Sequence, residues 1–257
     1  MSQIVLITGA TAGIGKATAE LLGKNGYRII ITGRRQNRLD ELQDTLKLKH
    51  NCSITNLCFD IRDKDAVNDA IDSLPEEWKK ISILINNAGL AAGFNPIQEG
   101  NINDWERMID TNVKGLLYIS KKVIPLIIEQ GSGHIVNIGS IAGREVYPNG
   151  NVYNATKHAV DALSKTMRID LLKHNIKVTQ IAPGLAETEF SEVRFHGDTE
   201  RAKQVYKGFE PLKAEDIADA IHYALSRPAH VTINDMLIVP TAQANAYNIN
   251  KVITEEW

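Results

Sequence analysis

Ile4-Val5-Leu6-Ile7-Thr8-Gly9-Ala10-Thr11-Ala12-Gly13-Ile14-Gly15 runs from a short apolar stretch straight into a glycine turn, and Lys16 to Asn25 follows with helical character. An unbroken, β-branched apolar run of this kind suits a strand buried on both faces of a parallel sheet. The glycines let the backbone come close to a pyrophosphate, and the helix start offers N–H groups and a partial positive charge. Strand, turn and helix together open a dinucleotide-binding unit, with Gly9, Thr11, Gly13, Ile14 and Gly15 as candidate cofactor contacts. A glycine turn alone serves equally well as a plain tight turn. Its seat directly between strand and helix favours the phosphate cradle.

The alternation continues along the chain. Strand-like runs occupy residues 3–8, 28–32, 53–58, 82–86, 133–138, 176–181 and 235–239, and helical periodicity covers 13–25, 36–48, 63–73, 103–129, 151–174 and 214–226. No linker, repeat or low-complexity tract interrupts it. The expected fold class is α/β: one domain over residues 1–257, a Rossmann-type, doubly wound parallel sheet of about seven strands with helices on both faces. Ligands then belong at the carboxyl ends of the strands. Residues 185–209 form the one long stretch without a strand, a length typical of a substrate lid.

The second strand ends in Gly33-Arg34-Arg35. A site for NAD(H) wants an acid there to accept from the ribose 2′-hydroxyl. Glycine takes that place and two guanidinium groups follow, which suit a phosphate dianion and can also lie on adenine. Arg34 and Arg35 could instead only solvate a helix start, but cations there oppose the helix dipole unless an anion joins them. NADP(H) is therefore the expected cofactor.

Bulk properties set bounds. The chain has 257 residues, 43% of them apolar, and a formal net charge of −2. That leaves no basic field for nucleic acid and no polybasic patch for a membrane. No signal peptide and no bilayer-length apolar run is visible, so a soluble cytoplasmic protein is expected. Cys58 reads as a small core residue of the third strand, and neither it nor Cys52 has metal-ligand spacing. His134, His158 and His196 share no ligand spacing either, so no metal is expected.

Tyr153-Asn154-Ala155-Thr156-Lys157 sets a phenol and an ammonium one helical turn apart, and Ser140 comes from a separate strand end. The spacing alone also fits a solvated helix face. With Ser140 and the glycine turn beside it, the trio reads as a proton-transfer device.

These features together resemble the short-chain dehydrogenase/reductase superfamily over nearly the whole chain. Asn86-Asn87-Ala88-Gly89 looks like its sheet-stabilising, cofactor-side motif, which implies cofactor contacts for Asn87, Ala88 and Gly89. Asp60, followed by Ile61, matches the position that holds the adenine. Asn112 matches the asparagine of the catalytic tetrad, completed by Ser140, Tyr153 and Lys157. Pro183, Gly184 and Thr188 match the segment that receives the nicotinamide carboxamide. The stretch Pro183 to Asp198, with Pro228-Ala229-His230-Val231 and Pro240-Thr241-Ala242-Gln243, is similar to the NADP-dependent 3-hydroxy acid (serine-type) dehydrogenases. Relatives of that group reduce small aldehydes bearing a sulfonate.

The resemblance implies that Tyr153 moves the proton, Lys157 also holds the nicotinamide ribose, Ser140 polarises the substrate oxygen, and Asn112 holds a relay water. A free tyrosine titrates near pH ~10, and a nearby ammonium should favour its phenolate. A small anionic substrate needs a cation beside the nicotinamide. Arg194, between Val193 and Phe195 in the lid, is the first candidate, with a solvent-facing lid arginine as the lesser alternative. Arg144 is the second, although it could equally face outward, with Tyr147 and Asn149 on the same wall. In the family the helices 103–129 and 151–174 build dimers, usually paired into tetramers, and the tail 241–257 is expected on a neighbouring subunit. The alternatives are a carbonyl reductase for neutral substrates and a catalytically silent NADP-binding sensor.

Overall fold

The computed structural model describes residues 2–252. The strands are β1 (Ile4–Ile7), β2 (Arg28–Gly33), β3 (Ile54–Cys58), β4 (Ile81–Asn86), β5 (Gly133–Ile138), β6 (Ile176–Pro183) and β7 (Asp235–Ile238). The helices are α1 (Gly13–Lys24), α2 (Gln36–His50), α3 (Lys64–Asp72), α4 (Glu76–Lys79), α5 (Ile102–Ile109), α6 (Leu116–Glu129), α7 (Asn151–Asp170), α8 (Phe190–Arg194), α9 (Thr199–Tyr206) and α10 (Ala214–Leu225). All seven strands pair in parallel in the order β3-β2-β1-β4-β5-β6-β7.

The period of two along each strand divides the core. Ile4, Leu6, Ile30, Leu84, Ile135 and Val178 face α3, α6 and α7, where Val67, Ile119, Val123 and Val160 meet them. Val5, Ile7, Ile29, Ile31, Ile83 and Val136 face α1, α2 and α10, against Leu22, Leu39, Leu46 and Ile217. Each fully buried side chain of this size contributes about 1.5–3 kcal/mol. Neither face of the inner strands meets water, which is why they read as continuous apolar runs.

The chain winds outward from β1 through β2 to β3, then restarts beside β1 at β4 and winds the other way. The reversal opens a crevice past the ends of β1 and β4. Thr8 clamps its floor: the N–H groups of Asn87 and Ala88 both donate to Thr8 Oγ1, at 3.0 Å each.

Three features depart from the sequence reading. The long helix 103–129 is broken by a π-helical segment, Asp110–Gly115, with Asn112 inside it. The stretch 185–209 carries two short helices, α8 and α9, too short for periodicity to reveal. Cys58 is exposed, because β3 is the sheet edge; the buried cysteine is Cys52, packed beneath Gly23. Tail residues 241–252 also make contacts with their own chain: Ala246 N donates to Glu145 Oε2 (2.9 Å) and Val252 N to the Gly208 carbonyl (2.8 Å). Trp257 lies outside the described residues.

Candidate active site

A cavity of about 630 Å³ opens at the carboxyl ends of the strands, lined by the glycine turn, Asn87 to Leu90, Ser140, Tyr153, Lys157 and the lid. Gly9 adopts φ +67° and comes so close to the β4 end that a Cβ there would lie 2.9 Å from Ala88 Cα. At Gly15 a Cβ would meet Asn87 Nδ2 at 2.4 Å and the Gly9 carbonyl oxygen at 2.5 Å. Both positions are therefore closed to side chains. Helix α1 starts with no side-chain cap and no acid in its first turn. Its leading N–H groups are left for an anion.

At the end of β2, Gly33 leaves room for Thr11, whose Cγ2 would stand 2.6 Å from a Cβ there. Thr11 Oγ1 accepts from Arg35 Nε (3.2 Å) and NH2 (2.8 Å). Arg34 NH1 lies 3.6 Å from Asp60 Oδ2. Asp60 is gripped by both ends of the Arg62 guanidinium. Burial alone would raise its pKa, but the hydrogen bonds from Arg62 hold the carboxyl below its ordinary value. Arg38 and Glu189 join the same lip: Glu189 accepts from Arg35 NH1 at 3.0 Å and from Arg38 NH1 at 2.5 Å. The end of β2 itself carries no acid, since Gly33 stands there, and the guanidinium groups of Arg34, Arg35 and Arg38 gather beside it with Glu189 as a counter-ion. That donor set fits a dinucleotide with a 2′-phosphate.

Across the crevice, Tyr153 and Lys157 are buried in the first turns of α7. Lys157 Nζ donates to the Ile138 carbonyl at 2.9 Å and sits 5.9 Å from the Tyr153 ring centre. Ser140 Oγ accepts from Ala142 N at 3.1 Å and donates to the Pro183 carbonyl at 3.5 Å, and it lines the same cavity as Tyr153. Burial pushes the Tyr153 pKa well above its usual value, and the opposing effects of Ser140 and Arg194 do not offset it. This corrects the expectation of an ammonium-favoured phenolate: desolvation wins in the free protein. Burial also lowers the Lys157 pKa to about 8.

Asn112 uses its amide structurally. Its Oδ1 accepts from Leu90 N (2.8 Å), and its Nδ2 donates to the Leu90 carbonyl (2.8 Å) and to Thr156 Oγ1 (3.0 Å). The side chain thus ties the cofactor-side loop to α7 and has no proton left for a relay water. Thr188 lies against Gly13, and its hydroxyl accepts from Phe190 N at 3.2 Å. Pro183, Gly184, Ile61, Ala88 and Gly89 line the same cavity.

The lid delivers Arg194 inward. Its guanidinium sits 5.0 Å from the Tyr153 ring, 5.5 Å from Phe94 and 5.7 Å from both Tyr147 and Phe190. One NH2 donates to Tyr147 Oη at 2.6 Å, while buried Nε has no partner. Among the described residues no carboxylate lies within ion-pair distance of it. Arg144 is not brought to the cavity. Its guanidinium is captured by Asp235 of β7, with Asp161 of α7 at 3.7 Å. Asn149 lines a separate surface hollow with Ile97 and His158.

Arg38 and Phe94 carry no local motif, so the sequence reading passes over them, and Glu189 and Gln243 enter it only within the stretches that carry the resemblance, with no role of their own. Of the first two, only Arg38 left a trace, three residues after Arg35 on one helix face. Gln243, buried, accepts from Leu185 N at 2.9 Å and places the tail in the wall of its own chain's cavity.

Known proteins share this architecture. The short chain dehydrogenase family profile matches residues 3–198. Sulfoacetaldehyde reductase 2 of Chromohalobacter salexigens is 44% identical over 95% of this chain and 96% of its own length. The NADP-dependent 3-hydroxy acid dehydrogenase YdfG of Escherichia coli is 46% identical over 95% of this chain and 97% of its own. A structure described as the closed form of serine dehydrogenase complexed with NADP+ superposes with a TM-score of 0.90 at 46% identity, covering 95% of this chain and 97% of that one. With the glycine turn, the Asn87 clamp and the Ser140, Tyr153 and Lys157 group all in place, the chain belongs to the short-chain dehydrogenase family.

Proposed function

We propose that this protein reduces a small aldehyde with an anionic tail, using NADPH, and catalyses the reverse oxidation of the corresponding hydroxy acid or hydroxyalkanesulfonate. When bound, the cofactor supplies the hydride to the carbonyl carbon. Tyr153 gives its phenolic proton to the carbonyl oxygen, and its raised pKa keeps that proton in place at neutral pH. Ser140 donates to the same oxygen as negative charge develops. Lys157 spends one ammonium proton on the Ile138 carbonyl and keeps two for the ribose hydroxyls. Since the Asn112 amide is committed, its backbone carbonyl in the π-helical segment is the group that would hold a relay water. Gly9, Thr11, Gly13, Ile14, Gly15 and Asn87 hold the dinucleotide, with Arg34 and Arg35 at its 2′-phosphate.

Arg194 carries the choice of an anionic substrate. A desolvated guanidinium held in four aromatic rings, without a carboxylate partner, wants an anion beside it. Relatives named for sulfonate and carboxylate substrates support the same class. Arg194→Leu is expected to raise KM for sulfoacetaldehyde and malonate semialdehyde by roughly 30-fold or more, with propanal little affected. NADPH consumption on this panel checks it. Equal effects on charged and neutral aldehydes would favour the neutral carbonyl reductase.

We also infer a dimer-of-dimers assembly and a cytoplasmic location. Exposed Ile109 and Leu117 on the α5–α6 segment and Ile169 near the end of α7 support the first. A need for reduced dinucleotide, which the cytoplasm supplies, supports the second; cell fractionation checks it.

A further inference from the structure

Glu189 holds a position that the reaction does not require. It belongs to the lid, immediately before α8, yet its carboxylate reaches across the crevice to the start of α2. There it accepts from Arg35 and Arg38 together. Arg35 is then saturated on two edges, with Nε and NH2 on Thr11 Oγ1 and NH1 on Glu189. Helix α2 begins with no acid in its first turn and with Arg35 as its N-cap. The anion its dipole wants is thus provided by the lid. A carboxylate is a fair copy of one face of a phosphate: two acceptor oxygens with negative charge, matched to a guanidinium fork.

We propose that Glu189 is a cofactor-specificity residue, an internal competitor that occupies the Arg35–Arg38 fork until a 2′-phosphate displaces it. The inference rests on the NADP(H) reading of this lip. A phosphate dianion and a carboxylate on one guanidinium would stand in like-charge contact, so the two exclude each other. A dinucleotide lacking the 2′-phosphate leaves the Glu189 latch closed. One bearing it opens the latch and releases the start of α8, the helix whose last residue is Arg194. The phosphate is thereby reported to the substrate end of the cavity.

The experiment uses 2′-phospho-ADP-ribose and ADP-ribose, which carry no nicotinamide, so the readout is binding rather than turnover. By calorimetry, Glu189→Gln is expected to bind 2′-phospho-ADP-ribose roughly 3- to 10-fold tighter than wild type, the range two half-exposed ion pairs allow. ADP-ribose binding should stay within twofold. In the wild-type protein, amide hydrogen exchange across residues 186–196 should change with 2′-phospho-ADP-ribose and not with ADP-ribose. Weaker or unchanged binding of the phosphorylated ligand by Glu189→Gln would overturn the latch, as would identical exchange with both ligands. A wild-type protein that binds both ligands equally would overturn the NADP(H) reading itself and the latch with it. The two failures are therefore told apart by the wild-type affinities alone.

Discussion

Tyr153 and Lys157 show how burial sets protonation. The phenol stays protonated because its phenolate would be desolvated, and the same burial weakens the hold of Lys157 on its own proton. Lys157 falls from 10.5 to about 8. Between these two values the unfolded chain keeps a proton that the folded chain releases, so stability rises with pH across that window. Below about 8 both states carry it, and the cost of burying an ammonium is felt in full. The stability difference between Lys157→Met and wild type should therefore shift by on the order of 3 kcal/mol between pH 7 and pH 10.5, with the variant relatively better at pH 7. Urea denaturation at both pH values checks this; a constant difference would mean the ammonium is solvated after all. The trio of Ser140, Tyr153 and Lys157 was legible in the sequence because helical spacing and a strand end suffice to assemble it. The direction of the tyrosine shift was not, since burial is created by Phe190, Tyr147 and the lid. Arg194 and Arg144 were both candidates for the anionic substrate, ranked first and second. Only the arrival of Asp161 and Asp235 beside one, and four aromatic rings around the other, separates them.

Strands and the larger helices were readable nearly to the residue, whereas interruptions and short elements were not. A π-helical segment keeps the apolar periodicity of its neighbours, so 103–129 read as one helix although Asp110–Gly115 reorganises its middle. The five residues of α8 span barely one turn, and nothing in their order demands a helix. Strand β5 carries a further consequence in His134. Thr179 Oγ1 donates to the Ile233 carbonyl at 2.6 Å, so at its 2.7 Å contact with His134 it accepts. The imidazole proton therefore sits on Nε2. Burial, helped by Lys177, lowers this histidine from 6.5 to about 4. Its neutral form is the folded one, so stability contributed by this site is full above about 6.5 and is lost as pH falls toward about 4. His134→Gln, which can still donate to Thr179, should lose less stability than wild type between pH 7 and pH 4.5. Melting at the two pH values tests it, and parallel losses would refute it.

For the molecule as a whole, the parallel order of the sheet puts every cofactor-side residue at one edge, and that much follows from β-α alternation. How the tail closes the site does not. Gln243 on Leu185, Val252 on Gly208 and Lys251 on Val205 hold the lid from within the same chain. Truncation after Pro240 should therefore raise KM for the aldehyde by roughly tenfold while light scattering gives the same number of chains as for the full-length protein. A fall to a smaller assembly would instead place the tail on a neighbouring subunit, as its sequence suggests. Gly33 constrains any redesign of coenzyme preference. An aspartate grafted there to favour NADH would drive its Cβ into the methyl group of Thr11, which also anchors Arg35. Conversion therefore has to begin with a paired substitution at positions 11 and 33, because the single exchange would wreck the pocket it was meant to retune.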